Sequence, residues 1–223
     1  MTLPGVVLVT GTDTGVGKTV VTAALAVALS AHGSVAVLKP VQAGLPADID
    51  EVRRLAGLDQ VYEGARLDDP LNPTTAARIR GVTLPSYADH AATVHKLAAQ
   101  YDTVVVEGAG GVLVGLDNDG GTLLDLADEL DEPCAAVVVT RAALGTLNHT
   151  RLTCAALRAA RVPVAGLVIG SWPDQPGLAE RCNLEDLPAV TGLPLLGRVP
   201  AGAGGLATDE FRAAAPSWLS LSV

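Results

Sequence analysis

An apolar run that leads into a Gly-rich loop near the start of the chain constrains the fold most strongly. The run spans Gly5 to Val9, and the loop reads TGTDTGVGKT over residues 10–19. Glycines allow backbone N–H groups to close around phosphate oxygens, and the helix expected after the loop adds the positive end of its dipole. This context of strand, loop and helix favours a phosphate-binding loop over a Gly-rich turn without a ligand.

The last two residues of the loop carry the expected phosphate chemistry. Lys18 supplies a mobile cation, and the hydroxyl of Thr19 is suited to Mg²⁺. The spacing departs from the usual pattern, which is G-x-x-x-x-G-K. Here Gly11 stands one residue too early, and Thr12 occupies the position where that glycine is expected. The loop therefore predicts nucleotide binding in a variant form.

The composition limits the classes of protein to which the chain can belong. Its 223 residues are 49% apolar, which predicts one globular domain over residues 1–223. A net charge of −9 argues against a nucleic-acid partner. Because no basic segment precedes the first apolar run and no run is long enough to span a bilayer, we expect no signal peptide, no membrane partner and a cytoplasmic location. The spacing of the three cysteines predicts neither disulfides nor a zinc site.

Short β-branched runs alternate with helical segments, which predicts an α/β fold. Because the runs are continuously apolar, they suit a mostly parallel sheet with helices on both faces. The segment 57–85, which contains three prolines, is the least regular and is interpreted as a connection. The predicted strands are Val6–Val9, Val35–Leu38, Thr103–Val106, Ala135–Val139, Val164–Ile169 and Leu195–Val199, and the predicted helices include 18–31, 86–100, 123–130 and 147–160.

Polar or charged residues follow the predicted strands, and in a parallel sheet these ends meet at one edge. Lys39, after the second strand, is either a surface lysine or an active-site cation; its expected position beside the first strand favours the cation. Glu107, after the third strand, either pairs with a surface lysine or serves Mg²⁺. The Gly-rich residues that follow it favour the metal role.

The residues alone do not decide the roles of two helix starts. Asp48 and Asp50 begin an amphipathic helix, where each is either a charge favoured by the helix dipole or a metal ligand. The segment Gly145–Asn148 begins another helix, whose exposed N–H groups suit a carboxylate. An ordinary capped helix start explains that segment equally well.

Together these motifs resemble those of the dethiobiotin synthetase family, whose fold is P-loop NTPase-like. The resemblance extends over nearly the whole chain in the family's order. The phosphate loop and the motif around Glu107 are specific to the family when they occur together. The resemblance is carried by residues 11–19, Lys39-Pro40-Val41, residues 106–111, Asn148-His149 and residues 196–200.

The resemblance implies a ligase that acts on 7,8-diaminopelargonate, CO₂ or bicarbonate, and ATP or another nucleoside triphosphate, with Mg²⁺ as cofactor. One substrate amine forms a carbamate, the nucleotide phosphorylates it to a mixed anhydride, and the second amine closes the ureido ring. The resemblance also implies a homodimer in which the neighbouring subunit holds the tail carboxylate of the substrate.

Residue roles follow from the same resemblance. Lys39, Lys18 and Thr14 would be catalytic, stabilising the carbamate and the transferring phosphoryl group. The implied nucleotide contacts are Thr14, Gly15, Val16, Gly17, Lys18, Thr19, Val20, Glu107, Gly108, Ala109, Gly110, Gly170, Ser171, Pro200, Ala201 and Gly202; the implied substrate contacts are Thr12, Lys39, Ala43, Gly111, Gly145, Thr146, Leu147 and Asn148; and the metal candidates are Thr19, Asp48, Asp50 and Glu107.

Three positions depart from the family pattern. Gly15 lacks the polar or acidic side chain that many members carry, and Gln42-Ala43-Gly44 lacks the small hydroxyl residue that usually follows Lys-Pro-Val. Gly170 replaces the usual asparagine at the adenine edge. Without that amide, we expect a relaxed nucleotide preference.

The leading alternative is a nucleotide-switched ATPase of the partition or septum-positioning (MinD-like) type. Those proteins carry a lysine near the start of the loop, where this chain has Asp13, and the uncharged segment 217–223 offers no basic membrane-binding tail. An amide-forming cobyrinate-type synthetase would need a glutaminase domain, for which we expect no room in 223 residues. Dethiobiotin synthesis is therefore the expected function.

Overall fold

A central sheet of seven parallel strands carries the apolar runs of the sequence. The structure is a computed structural model that describes residues 3–221. In space the strand order is β3-β2-β4-β1-β5-β6-β7, so the strand before the phosphate loop lies at the centre. Along the chain the strands are β1 (Val6–Gly11), β2 (Val35–Ala43), β3 (Val61–Leu67), β4 (Thr103–Gly111), β5 (Cys134–Thr140), β6 (Val164–Trp172) and β7 (Leu195–Pro200).

Helices cover both faces of this sheet, as predicted. Alternate residues of β1 enter two separate apolar cores, with Leu8 in one and Val7 and Val9 in the other. Burial on both faces explains the continuous apolar runs of the central strands, such as Val6–Val9. The helices are α1 (Lys18–Leu29), α2 (Asp48–Ala56), α3 (Pro73–Arg80), α4 (Tyr87–Ala98), α5 (Leu123–Asp128), α6 (Thr146–Ala159), α7 (Leu178–Thr191) and α8 (Thr208–Ala214), with short 3₁₀ helices at Ala203–Gly205 and Ala215–Trp218.

The interpretation of residues 57–85 as an irregular connection was wrong, because the segment contains β3 and α3. β3 lies at the edge of the sheet and pairs only with β2, so its exposed side chains are polar and no continuous apolar run marks it. Pro73 begins α3, since a proline is tolerated in the first helical turn, and the Asn72 side chain accepts a hydrogen bond from Thr74 N at 3.0 Å.

The parallel arrangement brings the carboxyl ends of all seven strands to one edge. Within residues 3–221, no helix combines the length and apolar character that a membrane span requires. The three cysteines, Cys134, Cys154 and Cys182, are free thiols.

Candidate active site

Close backbone packing shapes the phosphate loop. Gly17 has a φ of 95°, and a Cβ atom there would lie 2.5 Å from the carbonyl oxygen of Gly170 in β6. No side chain caps the first turn of α1, so its backbone N–H groups are available to an anion. The loop and the helix together form the positively polarised cradle that the sequence predicts.

A buried cluster of charged and hydroxyl groups lies beside this cradle. Lys39 Nζ is 2.6 Å from Asp48 Oδ2 and 2.9 Å from Glu107 Oε1. Thr19 Oγ1 lies 3.0 Å from Asp48 Oδ1 and 3.1 Å from Glu107 Oε1. Only 2% of Lys39 and 1% of Glu107 is exposed, although the Asp48 side chain keeps 35% of its surface. The structure therefore brings together residues that are far apart in the sequence.

The two buried lysines differ in their electrostatic surroundings. Burial favours the neutral form of Lys39, but the Glu107 and Asp48 carboxylates outweigh that effect and raise the pKa of its ammonium group. Burial likewise opposes the charge of Asp48, yet Lys39 and the Thr19 hydroxyl hold the pKa of this carboxyl below its usual value. For Lys18 burial prevails and the pKa is lowered. Lys39 is thus held as a cation, whereas Lys18 lacks full compensation for its burial.

The direction of Lys18 is set by the backbone of its own loop. Its Nζ donates to the carbonyl oxygen of Asp13 at 3.1 Å, and the residue is 7% exposed. The side chain therefore runs back along the inside of the loop rather than out into solvent. An ammonium group in this position can reach an anion held by the cradle.

Gln42 places Asp48 in the cluster, a role that the sequence reasoning missed. Its side-chain oxygen accepts a hydrogen bond from Asp48 N at 2.9 Å, and its Nε2 donates to the carbonyl oxygen of Gly44 at 3.0 Å. Gln42 is 3% exposed, so these bonds satisfy a buried amide. Gln42 lies inside β2, beyond the apolar run that ends at Leu38, and in the sequence it stands out only as part of a departure from the family pattern.

The oxygen atoms of this cluster fit a small divalent cation. Adjacent ligands of octahedral Mg²⁺, with bonds near 2.1 Å, lie about 3 Å apart. Thr19 Oγ1 lies within hydrogen-bond distance of Asp48 Oδ1 and Glu107 Oε1, and these separations also match that value. In addition, a single hydroxyl hydrogen cannot satisfy both carboxylates at once. No group of three or more His, Cys, Asp or Glu residues suited to a metal exists within residues 3–221, so phosphate oxygens would have to complete the coordination.

The structure separates the two aspartates that the sequence left open. Asp48 joins the cluster, whereas Asp50 has a side chain that is 53% exposed and pairs with Arg53 at 2.8 Å and Arg66 at 3.4 Å. Since residues two apart on a helix point in different directions, only one of the two can face the phosphate loop. The geometry supports Asp48 as the metal candidate and does not bring Asp50 to the site.

Small residues form the other end of the ligand edge, where β6 and β7 finish. A Cβ atom on Gly170 would lie 2.0 Å from the carbonyl oxygen of Val16, so the close approach of the loop requires glycine there. Ala201 N donates to Trp172 O at 2.7 Å. A pocket of about 280 Å³ opens beside the loop and is lined by Gly15, Val16, Arg141, Ala142, Ala143, Ser171, Pro173, Glu180 and Ala201.

The start of α6 is only partly available to a ligand. Gly145 has a φ of 93°, Thr146 N donates to the carbonyl oxygen of Ala143 at 3.2 Å, and no side chain caps the N–H groups of Leu147 and Asn148. Asn148 is exposed, but the Thr146 hydroxyl is buried and lies 2.6 Å from Thr140 Oγ1. Both the side chain and the N–H group of Thr146 are therefore bonded within the protein, and the N–H groups that a ligand could reach are those of Leu147 and Asn148.

The remaining predicted residues lie near the carboxyl ends of strands or in the first turn of a helix. Thr12 N donates to Val139 O at 2.9 Å, and the registers of β1 and β4 place Gly111 opposite Gly11. A Cβ atom on Gly110 would lie 3.4 Å from Thr14 Oγ1, so the phosphate loop faces the end of β4 closely. Gly108 and Ala109 belong to β4, Ala43 and Leu147 to the ends of β2 and α6, Val20 to the first turn of α1, and Pro200 and Gly202 to the end of β7 and the loop after it.

This fold and cradle define a P-loop nucleotide-binding protein. The structure is similar to the septum site-determining protein MinD complexed with Mg-ADP from Pyrococcus horikoshii OT3, with a TM-score of 0.58 and 17% identity over 96% of this chain and 90% of that one. It is also similar to a ParA family ATPase from Chlorobium tepidum TLS, with a TM-score of 0.54 and 16% identity over 97% and 91% of the two chains. At such identities the likeness shows the fold alone.

Sequence similarity is far closer to a biosynthetic enzyme. The family model described as "AAA domain" matches residues 6–203. ATP-dependent dethiobiotin synthetase BioD from Rhodococcus jostii is 58% identical over 96% of this chain and 94% of that protein, and its counterpart from Streptomyces coelicolor is 55% identical over 96% and 92%. The chain belongs to the ATP-dependent dethiobiotin synthetase family, whose members are ligases. The predicted family is confirmed, and the MinD-like alternative is not favoured.

Proposed function

We propose that this chain forms dethiobiotin from 7,8-diaminopelargonate, CO₂ and ATP. One substrate amine takes up CO₂ and loses a proton, which gives a carbamate. A carbamate oxygen then accepts the γ-phosphoryl group and ADP leaves. The second amine attacks the carbamoyl carbon and loses a proton, the bond from that carbon to the phosphate oxygen breaks, and the ureido ring closes with release of phosphate.

The observation that carries the proposal is the buried cluster of Lys39, Asp48, Glu107 and Thr19 beside a phosphate cradle. This reaction gathers a carbamate and a triphosphate, so its main demand on the protein is positive charge in a water-poor place. Lys39 is held charged, and Lys18 lies inside the loop. We assign both lysines to stabilising the carbamate and the phosphoryl group during transfer.

The proposed reaction needs no nucleophilic side chain, because the substrate provides both attacking amines. What the protein must supply is alignment of the carbamate oxygen with the γ-phosphorus and exclusion of water. Thr14, which lies in the loop opposite the end of β4, is the proposed hydrogen-bonding partner of the carbamate. Backbone N–H groups of residues 15–20 would hold the phosphates.

Mg²⁺ is the proposed metal of this site. Thr19, Asp48 and Glu107 would hold it together with phosphate oxygens of the nucleotide, in keeping with the 3.0 and 3.1 Å spacings of their oxygen atoms. When bound, Mg²⁺ supplies positive charge that neutralises the nucleotide phosphates. Lys39 provides a counter-charge for both carboxylates.

A homodimer is the proposed assembly, with the tail carboxylate of the substrate bound at the partner's α6 start. The uncapped backbone after Gly145 supports an anion site there. Leu144 and Leu152, before and within α6, are 89% and 63% exposed, and a second copy would cover such apolar side chains. Measurement of the mass in solution tests the dimer. A cytoplasmic location likewise stays a prediction.

Incubation with diaminopelargonate, bicarbonate, Mg²⁺ and ATP tests the function. Mass spectrometry should detect the cyclised urea, with one ADP formed for each ring closed. Omission of diaminopelargonate is the control and should remove most ADP formation. ATP hydrolysis that does not depend on diaminopelargonate, without any urea product, would contradict the proposal and favour a switch-type ATPase.

A further inference from the structure

Arg141, which no feature of the sequence singled out as functional, connects two parts of the ligand edge. It follows β5 directly and precedes the start of α6. Its Nη2 atom donates to Asp13 Oδ2 at 2.8 Å and to the carbonyl oxygen of Thr14 at 3.3 Å. The loop after β5 is thereby bonded to the first half of the phosphate loop.

Asp13 uses both of its carboxylate oxygens to fix the loop. While Oδ2 accepts from Arg141, Oδ1 accepts from Thr14 N at 2.7 Å. Among residues 3–221, the only side chain from outside the phosphate loop and α1 that bonds to Asp13 or Thr14 is that of Arg141. Arg141 is therefore the side chain that links this part of the phosphate loop to the loop after β5.

The same aspartate directs the lysine of the cradle. The carbonyl oxygen of Asp13 accepts the bond from Lys18 Nζ at 3.1 Å, so a shift of the Asp13 backbone moves the ammonium group. A cation from a neighbouring loop, Arg141, is paired with this aspartate.

We propose that Arg141 is a positioning residue for phosphoryl transfer, which acts through Asp13 to hold Lys18 in line with the nucleotide phosphates; this rests on the proposed function. Exposed ion pairs contribute little to the free energy of unfolding, and both side chains here are about half exposed. The value of the pair lies in geometry, because a displacement of about 1 Å in a reacting site costs up to about 100-fold in rate.

A matched pair of variants separates this role from a general effect of losing an ion pair. Arg53 pairs with Asp50 at 2.8 Å, with side chains 47% and 53% exposed, while Arg141 pairs with Asp13 at 2.8 Å, with side chains 47% and 51% exposed. Both arginines are replaced, as Arg141→Met and Arg53→Met. Titration calorimetry with a non-hydrolysable ATP analogue and Mg²⁺ gives Kd, and steady-state assays give kcat and KM.

Relative to Arg53→Met, we expect Arg141→Met to raise Kd for the analogue about tenfold and lower kcat about tenfold. The KM for diaminopelargonate should stay within about twofold, and the melting temperatures of the two variants should agree. Arg141→Lys keeps a positive charge that can pair with Asp13 but loses the bond to the carbonyl oxygen of Thr14. Its Kd and kcat should therefore lie between those of Arg141→Met and those of the wild-type protein. Equal Kd and kcat in the two variants would overturn the proposal, as would a change confined to the KM of diaminopelargonate.

The route through Asp13 has its own test. If Arg141 acts through Asp13, the double variant Asp13→Ala/Arg141→Met should lose far less than the product of the two separate losses. If the loss in the double variant equals the product of the two separate losses, Arg141 does not act through Asp13. Failure of the wild-type protein to make the urea product would contradict the proposed function, whereas the difference in analogue Kd between Arg141→Met and Arg53→Met would still be measurable.

Discussion

The two halves of the ligand edge are built from opposite kinds of residue. Beside β1, β2 and β4, the buried Lys39 Nζ lies 2.6 and 2.9 Å from the carboxylates of Asp48 and Glu107, and the Thr19 hydroxyl lies 3.0 and 3.1 Å from the same two groups. At the ends of β6 and β7 the edge consists of Gly170, Ser171 and residues 200–202, and the glycine is packed directly on the phosphate loop. Buried charge is concentrated in the first half, whereas the charged residues beside the second half, Arg141 and Glu180, are exposed or partly exposed.

This difference follows from what each half has to recognise. Transfer of a phosphoryl group moves negative charge, and only charged side chains or a metal provide large stabilisation of it. A base or a ribose is neutral, so shape and backbone groups are sufficient to hold it. Activity should therefore be sensitive to any change of side chain in the charged half. In the neutral half, nucleotide binding should be sensitive to changes of backbone position.

Lys39→Met should have the largest effect, because it removes the cation of the charged half. The turnover rate should fall about 10³-fold or more. Glu107 would be left buried without its partner, so the free energy of unfolding should also fall by about 3 kcal/mol. Thermal unfolding and the urea assay, run at a temperature where the variant is folded, measure the two losses separately. Near-normal turnover in the folded variant would make Lys39 a bystander.

Asp48→Asn should have the next largest effect and Asp50→Asn almost none. Asp48 lies in the oxygen cluster, whereas Asp50 pairs with surface arginines. We expect the Mg²⁺ concentration for half-maximal activity to rise about 10- to 100-fold for Asp48→Asn, the range found when groups around a metal are changed. A magnesium titration of both variants checks this. If the two variants needed the same Mg²⁺ concentration for half-maximal activity, the assignment of the metal role to Asp48 and not to Asp50 would be wrong.

Those features of the site that follow a strand directly could be predicted from the sequence. The phosphate loop, Lys39 and Glu107 each stand next to an apolar run, so recognising the strand locates the residue. The choice of Asp48 over Asp50 could not be predicted, because it depends on how Gln42 holds the connection between β2 and α2. Helix periodicity alone allows either carboxylate to face the site.

Contacts between distant loops were likewise beyond prediction. Arg141 and Asp13 are separated by 128 positions, and only the order of β1 and β5 in the sheet makes them neighbours. The edge strand β3 was missed for a different reason, since polar residues such as Glu63 and Arg66 are tolerated where only one neighbouring strand is present. Apolar periodicity detects central strands far better than edge strands.

In the neutral half, Gly170→Ala should be tolerated much less well than Gly205→Ala. A Cβ atom at Gly170 would meet Val16 O at 2.0 Å and push the loop away, whereas one at Gly205 would meet nothing within 4 Å. We expect about a tenfold loss of nucleotide affinity for Gly170→Ala, through backbone displacement rather than loss of a base contact. Calorimetric titration with the ATP analogue measures it. Equal affinities for the two variants would show that the phosphate loop can move away from the added methyl group without any loss of nucleotide affinity.

The smallest effect should come from changing the base of the nucleotide. The neutral half lacks a side-chain amide at Gly170, and the packing against Val16 leaves no space for one. Discrimination between bases then rests on backbone groups and the shape of the pocket, which distinguish related ligands weakly. ATP, GTP and CTP should therefore compete for the site with affinities within about tenfold of one another, compared with the 10⁴-fold or greater discrimination possible when buried polar groups read a base. Exclusive binding of ATP in this competition would mean that side chains from another part of the chain, or from a second subunit, read the base. The neutral half would then not recognise the base through backbone groups and shape alone.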